Sequence, residues 1–142
     1  MSGFRFLEHI ADVYIEATGK TLKEAFEQAA LAMFEVITDT SKVEPKVCKE
    51  IRVNGFDEFS LLYNWLEELL FLHDLESLVF SKFKVHEINR NHEEWTLRGE
   101  AWGEPFDESR HEKRTEVKAI TYSRMEVIKK GDNHIVRFVL DI

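Results

Sequence analysis

The chain has 142 residues, 44% apolar and 32% charged, with a formal net charge of −8. That composition excludes a disordered chain and suits a single domain over residues 1–142 with a substantial core, since a chain of about 150 residues buries roughly two-thirds of its unfolded surface. The charge disfavours a protein that grips nucleic acid unaided, which needs a basic stripe to displace phosphate counterions. A cation or a basic protein surface suits this field better.

Cys48 stands alone, which rules out an internal disulfide or a paired-cysteine metal site. The N-terminus has no long apolar core of a secretory signal, and no apolar run approaches the roughly 18 residues of a membrane span. The expected compartment is the cytoplasm.

In chain order, residues 3–8 and 12–18 read as strands interrupted at His9-Ile10-Ala11, with Val13, Ile15 and Ala17 alternating against Tyr14 and Glu16. Gly19 breaks the run. Thr21-Leu22-Lys23-Glu24 has capping-box spacing and opens a helix to about Ile37, with Leu22, Phe26, Ala29, Met33 and Ile37 on one face. Asp39-Thr40-Ser41 closes it. Val43 to Val53 reads as a strand ended by Asn54-Gly55, and Asp57 caps a second helix over 58–73. Its apolar face is wide enough to make it either central to the core or shared with a partner. Trp65 and its neighbour Tyr63 read as core packing.

The second half is strand-rich: Leu78–Asn89, Glu93–Trp102, Val117–Ile128 and His134–Leu140, with Lys130-Gly131-Asp132-Asn133 as a hairpin turn. The order β-β-α-β-α-β-β-β-β predicts a two-layer α+β fold, with two helices packed on one face of a largely antiparallel sheet. The polar stretch from Gly103 to Lys118 is long for a connection, and such loops usually carry function.

Phosphate loops, GxGxxG, GxSxG, HExxH and the EF-hand pattern are all missing. His86-Glu87 and His92-Glu93 are expected to flank a strand turn on a solvated edge. Asp12 opens a strand where a β-former would be the easy choice; it serves either as a turn cap or as part of a site. Asp141 follows Phe138-Val139-Leu140, and Ile142 comes next. Should the two terminal strands be neighbours, Asp12, Asp141 and the Ile142 carboxylate converge. Converging carboxylates repel unless a hard divalent cation lies between them, and oxygen-only ligation favours calcium or magnesium over zinc. The competing expectation is that the last residues fray. Lys118 within an alternating strand usually reaches for solvent, and His9 reads equally well as a strand-end hydrogen-bonding residue. No nucleophile–base–orienter set is present.

These pieces resemble the archease family over essentially the whole chain. The resemblance rests on His9-Ile10-Ala11-Asp12, Gly19-Lys20-Thr21-Leu22, Val36-Ile37-Thr38-Asp39, Trp65-Leu66-Glu67-Glu68-Leu69-Leu70 and Gly103-Glu104-Pro105-Phe106-Asp107. The run from His111 to Tyr122 and the acidic end Asp141-Ile142 complete it. Ile10 and Ser123 depart from it, standing where threonine and histidine are expected.

The resemblance implies a protein cofactor rather than an enzyme. Its partner would be the RtcB-type RNA ligase, which joins tRNA halves. The cofactor promotes guanylylation of the ligase histidine, sustains multiple turnover and broadens the nucleotide accepted. The resemblance further implies a calcium-type site at Asp12, Asp141 and Ile142, where Mg2+ or Mn2+ are other occupants, and a functional role at Lys118. His9 is the other expected partner-contact residue. The protein would be a monomer or weak oligomer with no direct hold on nucleic acid or membrane. A stand-alone metal-dependent hydrolase or nuclease and a chaperone-like binding module are the rival readings.

Overall fold

The computed structural model describes residues 2–7 and 12–142. His9, with its expected role at the partner contact, lies outside the described residues. In chain order the elements are β1 (Gly3–Leu7), β2 (Val13–Gly19), α1 (Leu22–Ile37), β3 (Val47–Gly55), α2 (Glu58–Glu76), β4 (Leu78–Arg90), β5 (Trp95–Pro105), β6 (Ala119–Lys130) and β7 (Asn133–Asp141). This is the expected order of strands and helices. The boundaries moved where local hydrogen bonding outweighed the apolar pattern. After α1 a 3-10 turn spans Thr40–Lys42, capped by the Asp39 side chain, and it delays β3 to Val47.

Both helix starts follow from their caps. The Thr21 hydroxyl accepts from the Glu24 N–H at 3.1 Å. At α2 the Asp57 carboxylate accepts from the Ser60 N–H at 2.7 Å, while the Ser60 hydroxyl accepts from the Asp57 N–H at 3.2 Å. α2 ends at Ser77, which adopts a left-handed conformation with φ 56°.

The fold is α+β, with antiparallel pairing throughout the described ladders. The strands divide into two sheets, β1-β2-β7-β6 and β3-β5-β4, where one had been expected. α1 packs on β2 and β4, and α2 on β3 and β6, so each helix meets both sheets. The reason lies in the helix sequences. Ala25, Phe26, Ala29, Ala30, Ala32, Met33 and Phe34 bury most of the circumference of α1, and Leu61, Leu62, Trp65, Leu66, Leu69 and Leu70 do the same for α2. A helix that is apolar nearly all round must be covered on more than one side. Trp65 is fully buried, as its sequence context implies, and its indole N–H donates to the Phe26 carbonyl at 3.0 Å, joining the helices.

The polar stretch after β5 is pinned down by its own charges. Burial alone would push the Glu104 carboxyl up, but hydrogen bonds from Arg110, the Glu44 N–H and His111 outweigh it and hold the group at about 2. His111 is equally buried. Its Nδ1 accepts from the Asp107 N–H at 2.8 Å, so the ring proton sits on Nε2 and points at Glu104, 2.9 Å away. Farther along, the N–H groups of Arg114 and Thr115 donate to the carbonyls of Ile37 and Val36, and the Arg114 guanidinium reaches the Glu35 carbonyl at 2.9 Å. The last turn of α1 has no basic residue of its own, so the loop supplies the positive charge its C-terminus favours. Arg110 and Arg114 are thereby committed to internal partners.

Candidate functional site

β7 lies between β2 and β6 in the four-stranded sheet, and its register sets the site. Val13 pairs with Leu140 at the end of this ladder; Asp12 immediately precedes β2, and Asp141 is the last residue of β7. Leu140 is fully buried and Asp141 is exposed, which puts the acidic position on the outer face. On the other side of β7, Ala119 pairs with Asp141, and the Lys118 N–H donates to the Asp141 carbonyl at 2.7 Å. Ile142 packs against the hydrophobic core, which fastens the end of β7 and argues against fraying there.

Asp141 therefore precedes a fastened Ile142 and is bonded to Lys118 along the backbone, while Asp12 immediately precedes the strand that pairs with β7. The Lys118 side chain is exposed and lines a cleft of about 600 Å3 between the start of β6, the end of β3 and α2, together with Arg52, Asn64, Glu67, Phe71 and Asp74. Among the described residues, no group of three or more His, Cys, Asp or Glu side chains is arranged to hold a metal ion. Only two side chains of the expected set are carboxylates, and the remaining oxygens would be those of the Ile142 main chain. Such an oxygen-only donor set fits a hard divalent ion and not zinc.

His86 does not flank a turn. It lies within β4, where the register shifts between Val85 and Glu87, and its Nε2 sits 2.5 Å from Glu100, whose other oxygen accepts from the Cys48 thiol at 3.1 Å. The strand continues past His86 because Ile88 still has Leu97 to pair with on the neighbouring strand.

Two arrangements were not visible in the sequence. On the outer face of the four-stranded sheet, Arg5, Glu16, Arg137 and Glu126 form a ladder of alternating charge, with contacts of 2.6, 2.7 and 3.0 Å. Strand periodicity places each on the outer face, but only register brings them opposite one another. The second is Tyr63 stacked on Tyr122 with centroids 4.5 Å apart and planes 8° from parallel. Tyr63 is thus half-buried, packed against the core on one side and stacked on Tyr122 on the other. No periodic signal could have paired it with Tyr122.

The Archease protein family (MTH1598/TM1083) model matches residues 4–142. The chain is 52% identical to the protein archease of Sulfurisphaera tokodaii and 51% identical to that of Sulfolobus acidocaldarius, over the full length of each chain. The solution structure of Methanobacterium thermoautotrophicum protein 1598 superposes with a TM-score of 0.87 at 46% identity, covering 99% of both chains. A crystal structure of a Thermotoga maritima archease, at 20% identity and a TM-score of 0.59 over 96% of this chain and 94% of that one, shares the fold. With a family model matching residues 4–142 and relatives 52% and 51% identical over their full length, this chain belongs to the archease family.

Proposed function

We propose that the chain is a non-catalytic protein cofactor of an RtcB-type RNA ligase in tRNA splicing. It would promote guanylylation of the ligase histidine and sustain repeated turnover in the cytoplasm. The observation that supports this reading is the pairing of Val13 with Leu140, which joins the strand that follows Asp12 to the strand that ends in Asp141, together with the Lys118 N–H bond to the Asp141 carbonyl. Family membership supplies the partner class.

Asp12, Asp141 and the main-chain oxygens of Ile142 would hold Ca2+, with Mg2+ or Mn2+ as alternatives. When bound, a hard divalent ion supplies fixed positive charge against phosphoryl oxygens. The protein's own contribution is positional. The sheet ladder would hold Asp141, the core would hold Ile142, and Lys118, which lines the adjacent cleft, would serve as a cation for a phosphate or an acidic ligase residue. His9 completes the expected contact. The net charge of −8 favours docking on a basic, RNA-binding ligase over gripping tRNA.

The deciding experiment follows ligase guanylylation with GTP and metal, with and without this protein, and follows RNA with the protein alone. Stimulation only in the ligase's presence, lost in Asp12→Ala and Asp141→Ala, supports the reading. RNA cleavage or GTP turnover without ligase would replace it with the stand-alone hydrolase.

A further inference from the structure

The stacked Tyr63–Tyr122 pair has a specific origin. Between Thr121 and Glu126, β6 advances farther than its partner β7, and Arg124 takes a φ of 56° inside this irregularity. Bulges of this kind re-aim side chains. Here Arg124 turns over the Tyr14 ring at 5.3 Å, while the Tyr122 ring lies on Tyr63 of α2. Tyr122 remains 52% exposed. Phe59, one helical turn before Tyr63, and Phe56, just ahead of the α2 cap, are also exposed, at 38% and 80%. An exposed group of aromatic side chains gathered at one helix start marks an interaction surface.

Its electrostatic surroundings are acidic. Both phenols are pushed up, first by burial and then by the nearby carboxylates of Glu67 at Tyr63 and of Asp57 and Glu67 at Tyr122. Glu67 also lines the Lys118 cleft, so the aromatic surface is continuous with the proposed contact site.

We propose that Tyr63, Tyr122, Asp57 and Glu67 form a receptor for an arginine side chain on a basic segment of the ligase partner. The occupant's identity rests on the ligase reading; the chemistry of the slot does not. A planar guanidinium stacks on a tyrosine face and donates to flanking carboxylates at once, which a lysine ammonium does less well. A stacked nucleobase would use the same ring. Its phosphates would then lie against Asp57 and Glu67 on a chain of charge −8, so a cationic protein segment is the better fit.

The test titrates the full chain with a short arginine-rich peptide, a lysine-rich peptide of equal charge and a single-stranded oligouridylate, following the Tyr122 ring resonances. It also measures affinity for the purified ligase. Arginine should be preferred to lysine by about tenfold. Tyr122→Ala should remove that margin, Tyr122→Phe should keep it, and Glu67→Gln should weaken binding of both peptides. Tyr122→Ala should weaken ligase association about tenfold as well. If Tyr122→Ala does not fold, the Phe and Gln variants carry the comparison. Equal affinity for the two peptides, tighter binding of oligouridylate, or unchanged ligase affinity in Tyr122→Ala would overturn the proposal. Should the wild-type chain not bind ligase at all, the ligase reading and the named occupant both fall, and the peptide titration still decides the chemistry of the slot.

Discussion

The N–H of Lys118 donates to the carbonyl of Asp141 at 2.7 Å. This bond couples the loop that delivers Lys118 to the strand that delivers Asp141, while the strand that follows Asp12 pairs with that same strand through Val13 and Leu140. Residues more than a hundred positions apart thus share one end of one sheet.

A calcium titration checks the acidic pair. Wild-type protein should gain thermal stability with Ca2+, by about 2.7 kcal/mol at a hundredfold excess over the dissociation constant. Asp12→Ala and Asp141→Ala should each abolish the gain. An equal gain in either variant by scanning calorimetry would remove that residue from the metal site.

Lys118→Ala should separate function from fold. The main-chain bond to Asp141 survives, and the side chain is exposed, so stability should change by no more than about 0.5 kcal/mol. Stimulation of ligase guanylylation should fall at least about tenfold if the ammonium contacts the reacting complex. Urea unfolding and a guanylylation assay on the same sample give both readings.

Glu104 makes the acid stability of the loop predictable. Its folded value of about 2 lies below the ordinary 4.5, so its contribution is fully present above 4.5 and is lost as pH falls toward 2. Glu104→Gln should cost roughly 3 kcal/mol at neutral pH, because His111 and Arg110 lose their charged acceptor. The gap between variant and wild type in chemical denaturation should narrow only through that acid window.

Glu16→Gln should be disruptive for a residue on a sheet's outer face. Glu16 is 7% exposed and bridges Arg5 and Arg137, whose hydrogen bonds hold its carboxyl below the usual range. A loss of about 1–2 kcal/mol is expected, against less than about 1 kcal/mol for Glu50→Gln, whose partner Arg52 is solvent-exposed. Thermal unfolding of the two variants side by side makes the comparison.

Gly103→Ala should be among the most damaging small substitutions. A Cβ there would run into the Val79 carbonyl and lie 2.7 Å from the Phe80 Cα, both of them backbone. The ladder between β4 and β5 would have to shift, at a cost of about 3 kcal/mol or more. Amide exchange in β4 would report it.

Much of this protein was determined locally. Apolar periodicity located both helices, alternation located the strands, and the hydroxyl or carboxylate at Thr21 and Asp57 fixed where the helices begin, because each signal acts within a few residues. Asp12 drew notice locally, as an acidic residue where a β-former would be the easy choice, whereas a role for Lys118 came only from the family resemblance. What the chain could not disclose locally is register across distant strands. The division into two sheets, the ladder through Glu16 and Arg137, the burial of Glu104 against His111 and the meeting of Tyr63 with Tyr122 all depend on which residues face one another after packing. A pairing shifted by one residue would turn Glu16, Arg137, Glu104 and Tyr122 to the opposite face of their strands, so the tertiary structure alone decided these meetings.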